Sequence, residues 1–140
     1  MTTTVKARVL VPGKASAHVC ALGEPLSFWG GYDPVSGTIL DVHHPQSGTC
    51  LAGKIAILPS ARGSAGTPAC IAEAIRRGVA PAGFVLGAAD VNIATGARVA
   101  HELYRTDCPV VCADADDYDR LARAAALKIA ADGTIIIREM

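Results

Sequence analysis

Aromatic residues are scarce in this 140-residue sequence, at 4% of the total, so the core must consist mainly of aliphatic side chains. No charge of one sign dominates, because 13 Lys and Arg balance 13 Asp and Glu and the formal net charge is zero. The basic residues are scattered, whereas binding to nucleic acid or to a membrane surface favours a basic stripe. We therefore expect neither nucleic acid nor a membrane among the partners.

Long apolar runs are also missing. No run approaches the ~20 apolar residues that a membrane span needs, and segment 1–8 has no apolar core of signal-peptide length. The sequence thus predicts a cytoplasmic protein. Its length and its 51% share of hydrophobic residues predict a single domain over 1–140.

Cysteine motifs for a disulfide framework or a metal centre are lacking. The five cysteines are an odd number and form no Cys-x-x-Cys motif; they are Cys20, Cys50, Cys70, Cys108 and Cys112. A disulfide framework is not expected without a secretion signal, and the four histidines complete no metal-ligand spacing. We expect no metal to be bound by this chain, Cys108 and Cys112 to pack as small hydrophobes, and Cys20 and Cys50 to be partly exposed.

What the sequence does contain is a glycine-rich turn with an arginine and a serine, between a predicted strand at 54–58 and a predicted helix at 69–77. The free N–H groups and positive dipole end of such a helix face the turn, and Arg62 can grip a carboxylate or phosphate through two hydrogen bonds. Ser64 lies where an alkoxide or a substrate hydroxyl would be stabilised. The alternative is a plain connection, with Thr67 as the N-cap and Arg62 in solvent.

Half of the aromatic residues fall in one segment, 23–34, which is rich in glycine and proline. Phe28, Trp29 and Tyr32 lie there, and such a concentration indicates a binding wall or an interface. A loop folded over its own core is the alternative. We expect this segment and the turn at Arg62 to meet on one face.

The other segments predict an α/β fold. Predicted strands cover 7–13, 17–22, 80–86, 108–112 and 134–138, a turn runs into a strand at 35–42, and predicted helices cover 93–104 and 116–129. Val99 and Leu103 are expected on the apolar side of helix 93–104. Apolar strands that alternate with helices predict a parallel sheet covered on both faces.

Three motifs resemble the small subunit, or swivelling domain, of aconitase X, the divergent dehydratase branch of the aconitase superfamily. They are Glu24-Pro25-Leu26-Ser27-Phe28-Trp29-Gly30-Gly31 with Asp33-Pro34; His44-Pro45-Gln46 with Gly48 and Ala52-Gly53-Lys54; and Leu58-Pro59-Ser60 with Arg62-Gly63-Ser64. The resemblance covers nearly the whole chain and implies a layered β/β/α swivelling domain. Ala61 departs from the glycine that is common in the family, and 65–68 replaces a run that is often richer in serine.

The resemblance implies a lyase that removes water from a small hydroxy acid. Its active site would be shared with a large aconitase X subunit that carries an iron or iron–sulfur centre. Ser64 matches the proton acceptor of the family, and Arg62 is suited to the substrate carboxylate. We expect Ser60, Gly63 and Thr67 to bind the substrate.

Two activities compete within this resemblance: dehydration of cis-3-hydroxy-L-proline and dehydration of mevalonate 5-phosphate. We favour the first, because the turn offers one arginine for a carboxylate and no nearby lysine for a phosphate. A non-catalytic swivelling module that binds a carboxylate or a partner, with Trp29 among its anchors, is the alternative of another class. A free-standing serine hydrolase is disfavoured, because the turn has no Gly-x-Ser-x-Gly elbow.

Overall fold

A mixed β-sheet with helices on both faces forms the framework of the protein, as described by a computed structural model for residues 3–139. The strands are β1 Thr3–Lys6, β2 Arg8–Val11, β3 Ala15–Ala21, β4 Tyr32–Asp33, β5 Thr38–Ile39, β6 Ile55–Leu58, β7 Gly83–Leu86, β8 Val110–Cys112, β9 Ala126–Ile129 and β10 Thr134–Arg138. The helices are α1 Thr67–Arg76, α2 Val91–Tyr104 and α3 Ala115–Ala122.

The main sheet has eight strands in the order β1-β10-β9-β3-β6-β7-β8-β2, and β4 and β5 form a separate hairpin. Strands β3, β6, β7 and β8 are parallel to one another. The strands on either side of this central group pair antiparallel. This arrangement confirms the predicted α/β class with a parallel centre.

Side chains of the central strands alternate between two cores. On β6, Ala56 and Leu58 join the core beneath α1 and α2, whereas Ile55 and Ile57 join the core that contains Leu121 of α3. All four β6 residues are fully buried. Burial on both faces explains why such a strand is apolar without interruption.

The two edge strands of the sheet are neighbours along the chain. β1 ends at Lys6 and β2 begins at Arg8, so Ala7 alone separates them. Two residues of extended chain span about 7 Å. The sheet therefore curls until its edges approach each other, while the Ala7 N–H, which donates to the Gly133 carbonyl at 2.9 Å, continues the pairing of β1 with β10.

The predicted apolar side of α2 is wrong. Val99 and Leu103 are 40% and 65% exposed, and the buried face consists of smaller residues: Ile93, Gly96, Ala97 and Ala100. The reason is close helix packing, since a β-carbon on Gly96 would lie 2.8 Å from the Pro68 carbonyl oxygen of α1. Only small side chains allow α1 and α2 to approach this closely.

The predicted helix at 116–129 is also wrong in its second half. α3 ends at Ala122, and Ala126–Ile129 forms β9 between β3 and β10. Burial in β9 alternates, with Leu127 and Ile129 inward and Lys128 exposed. The alanine-rich sequence favours a helix locally, but pairing with two strands outweighs that preference.

The first predicted strand, at 7–13, is replaced by β1 and β2. β1 begins earlier, at Thr3, and was not predicted, while β2 covers Arg8–Val11. The predicted strand at 134–138 is confirmed as β10, and those at 17–22, 80–86 and 108–112 are found in a slightly shifted or shortened form. The strand expected within 35–42 is reduced to the two residues of β5.

Candidate functional site

The glycine-rich turn lies at the carboxyl end of β6 and leads into α1. Loop 23–34 is tied to it by a parallel bridge between Leu26 and Ala61. The Leu26 N–H donates to the Ser60 carbonyl at 3.4 Å, and the Arg62 N–H donates to the Leu26 carbonyl at 2.9 Å. The expected meeting of these two segments is therefore confirmed, and it occurs where open α/β sheets place their ligands.

Ser64 has a strained backbone, with φ +150°, a value that residues with a side chain rarely adopt. Its Oγ accepts the Gly66 N–H at 3.1 Å, and its carbonyl accepts the Thr67 N–H at 3.2 Å. Both donors lie at the start of α1, whose N-cap is Gly66. Ser64 therefore occupies the positive end of the helix, where an anion at Oγ is stabilised.

The three other predicted binding residues lie in different surroundings. Ser60 borders a cavity of about 410 Å³ that it shares with Tyr118 and Asp119 of α3. Gly63 is exposed, and a β-carbon there would meet nothing within 4 Å. Thr67 is fully buried, and its Oγ1 has no hydrogen-bond partner in the part of the chain that the structure describes. The structure thus places the Thr67 hydroxyl beneath the surface of the turn, and the N-cap expected at Thr67 is Gly66 instead.

Arg62 does not extend freely into solvent. Its Nη2 bonds to Oε1 of Glu24 at 2.9 Å, and the two side chains are 55% and 47% exposed. Sequence reasoning missed Glu24 as a site residue, although it opens the first of the three resembling motifs. Glu24 stands in a recognisable motif, but its separation of 38 positions from Arg62 gave no reason to pair the two residues.

A buried histidine braces the backbone at Glu24. His44 is 5% exposed; its Nδ1 accepts the Gln46 N–H at 3.0 Å, so the other ring nitrogen, Nε2, donates to the Glu24 carbonyl at 3.2 Å. The Gln46 side chain adds a second tie, because Oε1 accepts the Gly23 N–H at 2.8 Å. These hydrogen bonds join the His44-Pro45-Gln46 motif to the motif that begins at Glu24, a contact that neither motif alone indicated.

Asp90 is a second missed residue. Its Oδ1 caps α2 by accepting the N–H groups of Asn92 and Ile93 at 2.9 and 3.1 Å. Its Oδ2 accepts the Ala61 N–H at 3.0 Å. One carboxylate therefore fixes both the start of α2 and the residue before Arg62. An aspartate three positions before Ile93 was readable as an N-cap, but the contact with Ala61 depends on the fold.

The aromatic segment 23–34 fits both interpretations in part, because two of its rings pack in the core and one is exposed beside the site. Phe28 and Tyr32 are buried, and their ring centroids lie 5.2 Å apart in an edge-to-face arrangement. Burial raises the pKa of the Tyr32 phenol, whose hydroxyl donates to the Val79 carbonyl at 3.3 Å. Trp29 is 65% exposed and lies against Gly66. The loop therefore covers its own core with two aromatic rings and presents the third to solvent beside the site.

No group of three or more His, Cys, Asp or Glu that fits a metal ion occurs within residues 3–139. All five cysteines are free; Cys20 is half-buried and Cys50 exposed, as predicted. Burial raises the pKa of the Cys70 thiol to about 11 and that of the Cys108 thiol to about 12. Among the residues that the structure describes, the His, Cys, Asp and Glu side chains therefore form no cluster that could hold an iron centre. None of the helices described for 3–139 is both long enough and apolar enough to cross a membrane.

Together the fold and the site define a class of protein: a mixed-sheet α/β domain that presents a helix N-terminus, an arginine and a strained serine to solvent. A family model described as "Aconitase X swivel domain" matches residues 4–137. The chain belongs to the aconitase X swivel domain family.

A cis-3-hydroxy-L-proline dehydratase of Pseudomonas aeruginosa is 41% identical over 115 residues, which are 82% of this chain and 20% of that protein. The chain thus spans about a fifth of the length of that relative. A phosphomevalonate dehydratase small subunit of Thermococcus kodakarensis is 33% identical over 91% of this chain and 90% of its own length. The holo-form crystal structure of Thermococcus kodakaraensis aconitase X superposes with a TM-score of 0.85 at 32% identity, over 98% of this chain and 99% of that one.

Proposed function

We propose that this chain is the small subunit of a hydro-lyase that removes water from a small hydroxy acid, with Ser64 as the proton acceptor. The observation that carries the proposal is the position of Ser64 Oγ at the start of α1, where it accepts the Gly66 N–H at 3.1 Å. A serine hydroxyl is a weak base, so its alkoxide must be stabilised. A donated N–H and the positive helix end both favour that charged form.

Arg62 supplies the substrate contact in this proposal. It lies two residues before Ser64, and a guanidinium binds a carboxylate through parallel hydrogen bonds. Ser60 and Gly63, on the same turn, are proposed to contact the substrate as well. Thr67 contributes by holding Ser64, because its hydroxyl is buried and its N–H donates to the Ser64 carbonyl.

A partner must complete this site. The iron or iron–sulfur centre expected from the family would be held by a large aconitase X subunit, where it would assist departure of the substrate hydroxyl as a Lewis acid. Two similarities support a separate small subunit: this chain covers 90% of the Thermococcus small subunit and 20% of the Pseudomonas protein. The complex is proposed to work in the cytoplasm.

The proposed substrate is cis-3-hydroxy-L-proline. Support comes from the low positive charge at the turn. Arg62 is paired with Glu24, and no lysine lies between Lys54 and Lys128 in the sequence. One shared guanidinium suits a single carboxylate better than a phosphate. Mevalonate 5-phosphate is the second candidate, favoured by the near-complete length match to the Thermococcus small subunit.

The test is co-expression with a large aconitase X subunit, anaerobic purification and measurement of water elimination from both substrates. We expect turnover of the hydroxyproline and a loss of about 10²–10⁴-fold in kcat for Ser64→Ala, with an intact complex. Ser47→Ala, an exposed serine on another bend, is the matched control and should retain full activity.

Three results would decide between the alternatives. Turnover of mevalonate 5-phosphate alone would transfer the assignment to the second substrate. Full activity of Ser64→Ala would remove Ser64 as the proton acceptor. A complex that needs Trp29 for assembly but turns over neither substrate would favour the non-catalytic module.

A further inference from the structure

A glutamate that the proposed chemistry does not use lies in direct contact with the proposed substrate-binding arginine. Glu24 Oε1 is 2.9 Å from Nη2 of Arg62. Within residues 3–139, the Arg62 guanidinium makes this one hydrogen bond to protein. Nε, Nη1 and the second hydrogen of Nη2 therefore remain free to donate to a ligand.

The pair contributes little to folding. Both side chains are about half exposed, at 55% and 47%. Exposed ion pairs contribute little to the free energy of unfolding, because water screens the charges and ordering two long side chains costs entropy. A role in stability is therefore a poor explanation for a pair whose members lie 38 positions apart.

The backbones at both ends of the pair are held firmly. The Glu24 carbonyl accepts His44 Nε2–H at 3.2 Å, and the preceding Gly23 N–H is tied to Gln46. The Arg62 N–H bonds to the carbonyl of Leu26, a fully buried residue. Backbones fixed in this way keep the two Cα atoms at a constant separation, so the ion pair between the side chains holds the guanidinium in one orientation.

We propose that Glu24 is a positioning residue, which holds Arg62 through one N–H of Nη2 so that the other Nη2 N–H and a neighbouring N–H of the guanidinium face the substrate carboxylate. The inference rests on the proposed function. It adds a residue to that site and a reason for the His44-Pro45-Gln46 motif, which fixes the position of Glu24. Glu24 itself does not touch the substrate, because two carboxylates repel each other unless the guanidinium lies between them.

The test uses the reconstituted complex and steady-state kinetics. Glu24→Ala should raise KM about tenfold and leave kcat nearly unchanged, since a freely rotating Arg62 loses substrate binding. Glu24→Gln keeps an oxygen acceptor for Nη2 and should recover most of that loss. Glu73→Gln is the matched control, because Glu73 also pairs with arginine at a partly exposed position but on the far end of α1.

A double-mutant cycle separates positioning from direct action. In an Arg62→Ala background, Glu24→Ala should change KM by less than about twofold, because nothing remains to be positioned. An equal loss in both backgrounds would overturn the inference. So would a wild-type KM for Glu24→Ala in a complex that Ser64→Ala inactivates. Full activity of Ser64→Ala would instead defeat the proposed function.

A measurement on the free chain does not depend on turnover. ¹⁵N relaxation of the Arg62 Nε–H group should show an ordered side chain in the wild type, a mobile one in Glu24→Ala and an ordered one in Glu73→Gln. An Arg62 side chain that is mobile in the wild type, or unchanged in Glu24→Ala, would overturn the inference. The Arg62 signal is assigned by its disappearance in Arg62→Lys.

Discussion

Trp29 lies so close to Gly66 that a β-carbon on the glycine would be 2.6 Å from ring carbons Cδ2 and Cε3 of the indole. The exposed aromatic ring therefore rests on the N-cap of α1, two residues after Ser64. This contact joins loop 23–34 to the helix start independently of the ion pair between Glu24 and Arg62.

Gly66→Ala should displace the indole, because a β-carbon 2.6 Å from two ring carbons does not fit unless the whole ring moves. Because the ring is 65% exposed, it can turn into solvent, so we expect a loss of less than about 1 kcal/mol in the free energy of unfolding. Trp29 is the only tryptophan of the sequence, so its fluorescence emission reports the displacement directly. Gly63→Ala is the control, since open space surrounds that position, and it should change neither quantity. Unaltered emission in Gly66→Ala would contradict the described contact.

Ser64→Gly should be more stable than Ser64→Ala. Both variants lose the hydrogen bond from Gly66, but only glycine adopts φ +150° without strain. We expect a difference of about 1 kcal/mol in the free energy of unfolding, measured by denaturant titration. The opposite order would show that the backbone at Ser64 is not strained in solution.

Asp90→Ala should cost more than the loss of an ordinary helix cap. It removes the acceptor for two N–H groups of α2 and for the Ala61 N–H, so we expect about 2–3 kcal/mol. Asp114→Ala, which removes the cap of α3 alone, should cost about 1 kcal/mol. Equal losses in the two variants would indicate that the bond between Asp90 and Ala61 contributes nothing.

Glu73 should titrate far below an ordinary glutamate. Hydrogen bonds from Arg76 and then Arg77 lower its pKa from 4.5 to about 2. A lowered pKa in the folded state stabilises the protein above the unfolded value of 4.5, and this contribution disappears as the pH falls towards 2. Titration of the Glu73 carboxyl carbon by NMR should therefore give a midpoint near 2; a midpoint near 4.5 would mean that the two arginines do not hold it in solution.

The central part of the fold could be predicted from the sequence because it depends on local pattern. Apolar strands such as 54–58 and 80–86 alternate with helical segments, and this order specifies a parallel sheet covered on both faces. Prediction failed where distant pairing decides the outcome. Residues 126–129 have the composition of a helix, and only their position between β3 and β10 makes them a strand.

The candidate site was predictable to a similar degree. The sequence placed Arg62 and Ser64 on a turn between a strand and a helix, since strand, turn and helix are contiguous there. The partners of the turn, Glu24 and Asp90, lie 38 residues before Arg62 and 29 residues after Ala61, respectively. No spacing rule joins residues across such distances, so these contacts required the structure.

Strand β1, which Ala7 alone separates from the other edge strand, has a consequence for solubility. If β1 were cut away, β10 would become an edge strand with the sequence Thr134-Ile135-Ile136-Ile137-Arg138. An uncovered edge of consecutive isoleucines is a template for pairing with other chains and hence for aggregation. Strand β1 thus covers the edge of β10 and protects the molecule from self-assembly. A variant that lacks β1 is expected to precipitate rather than only to lose one strand.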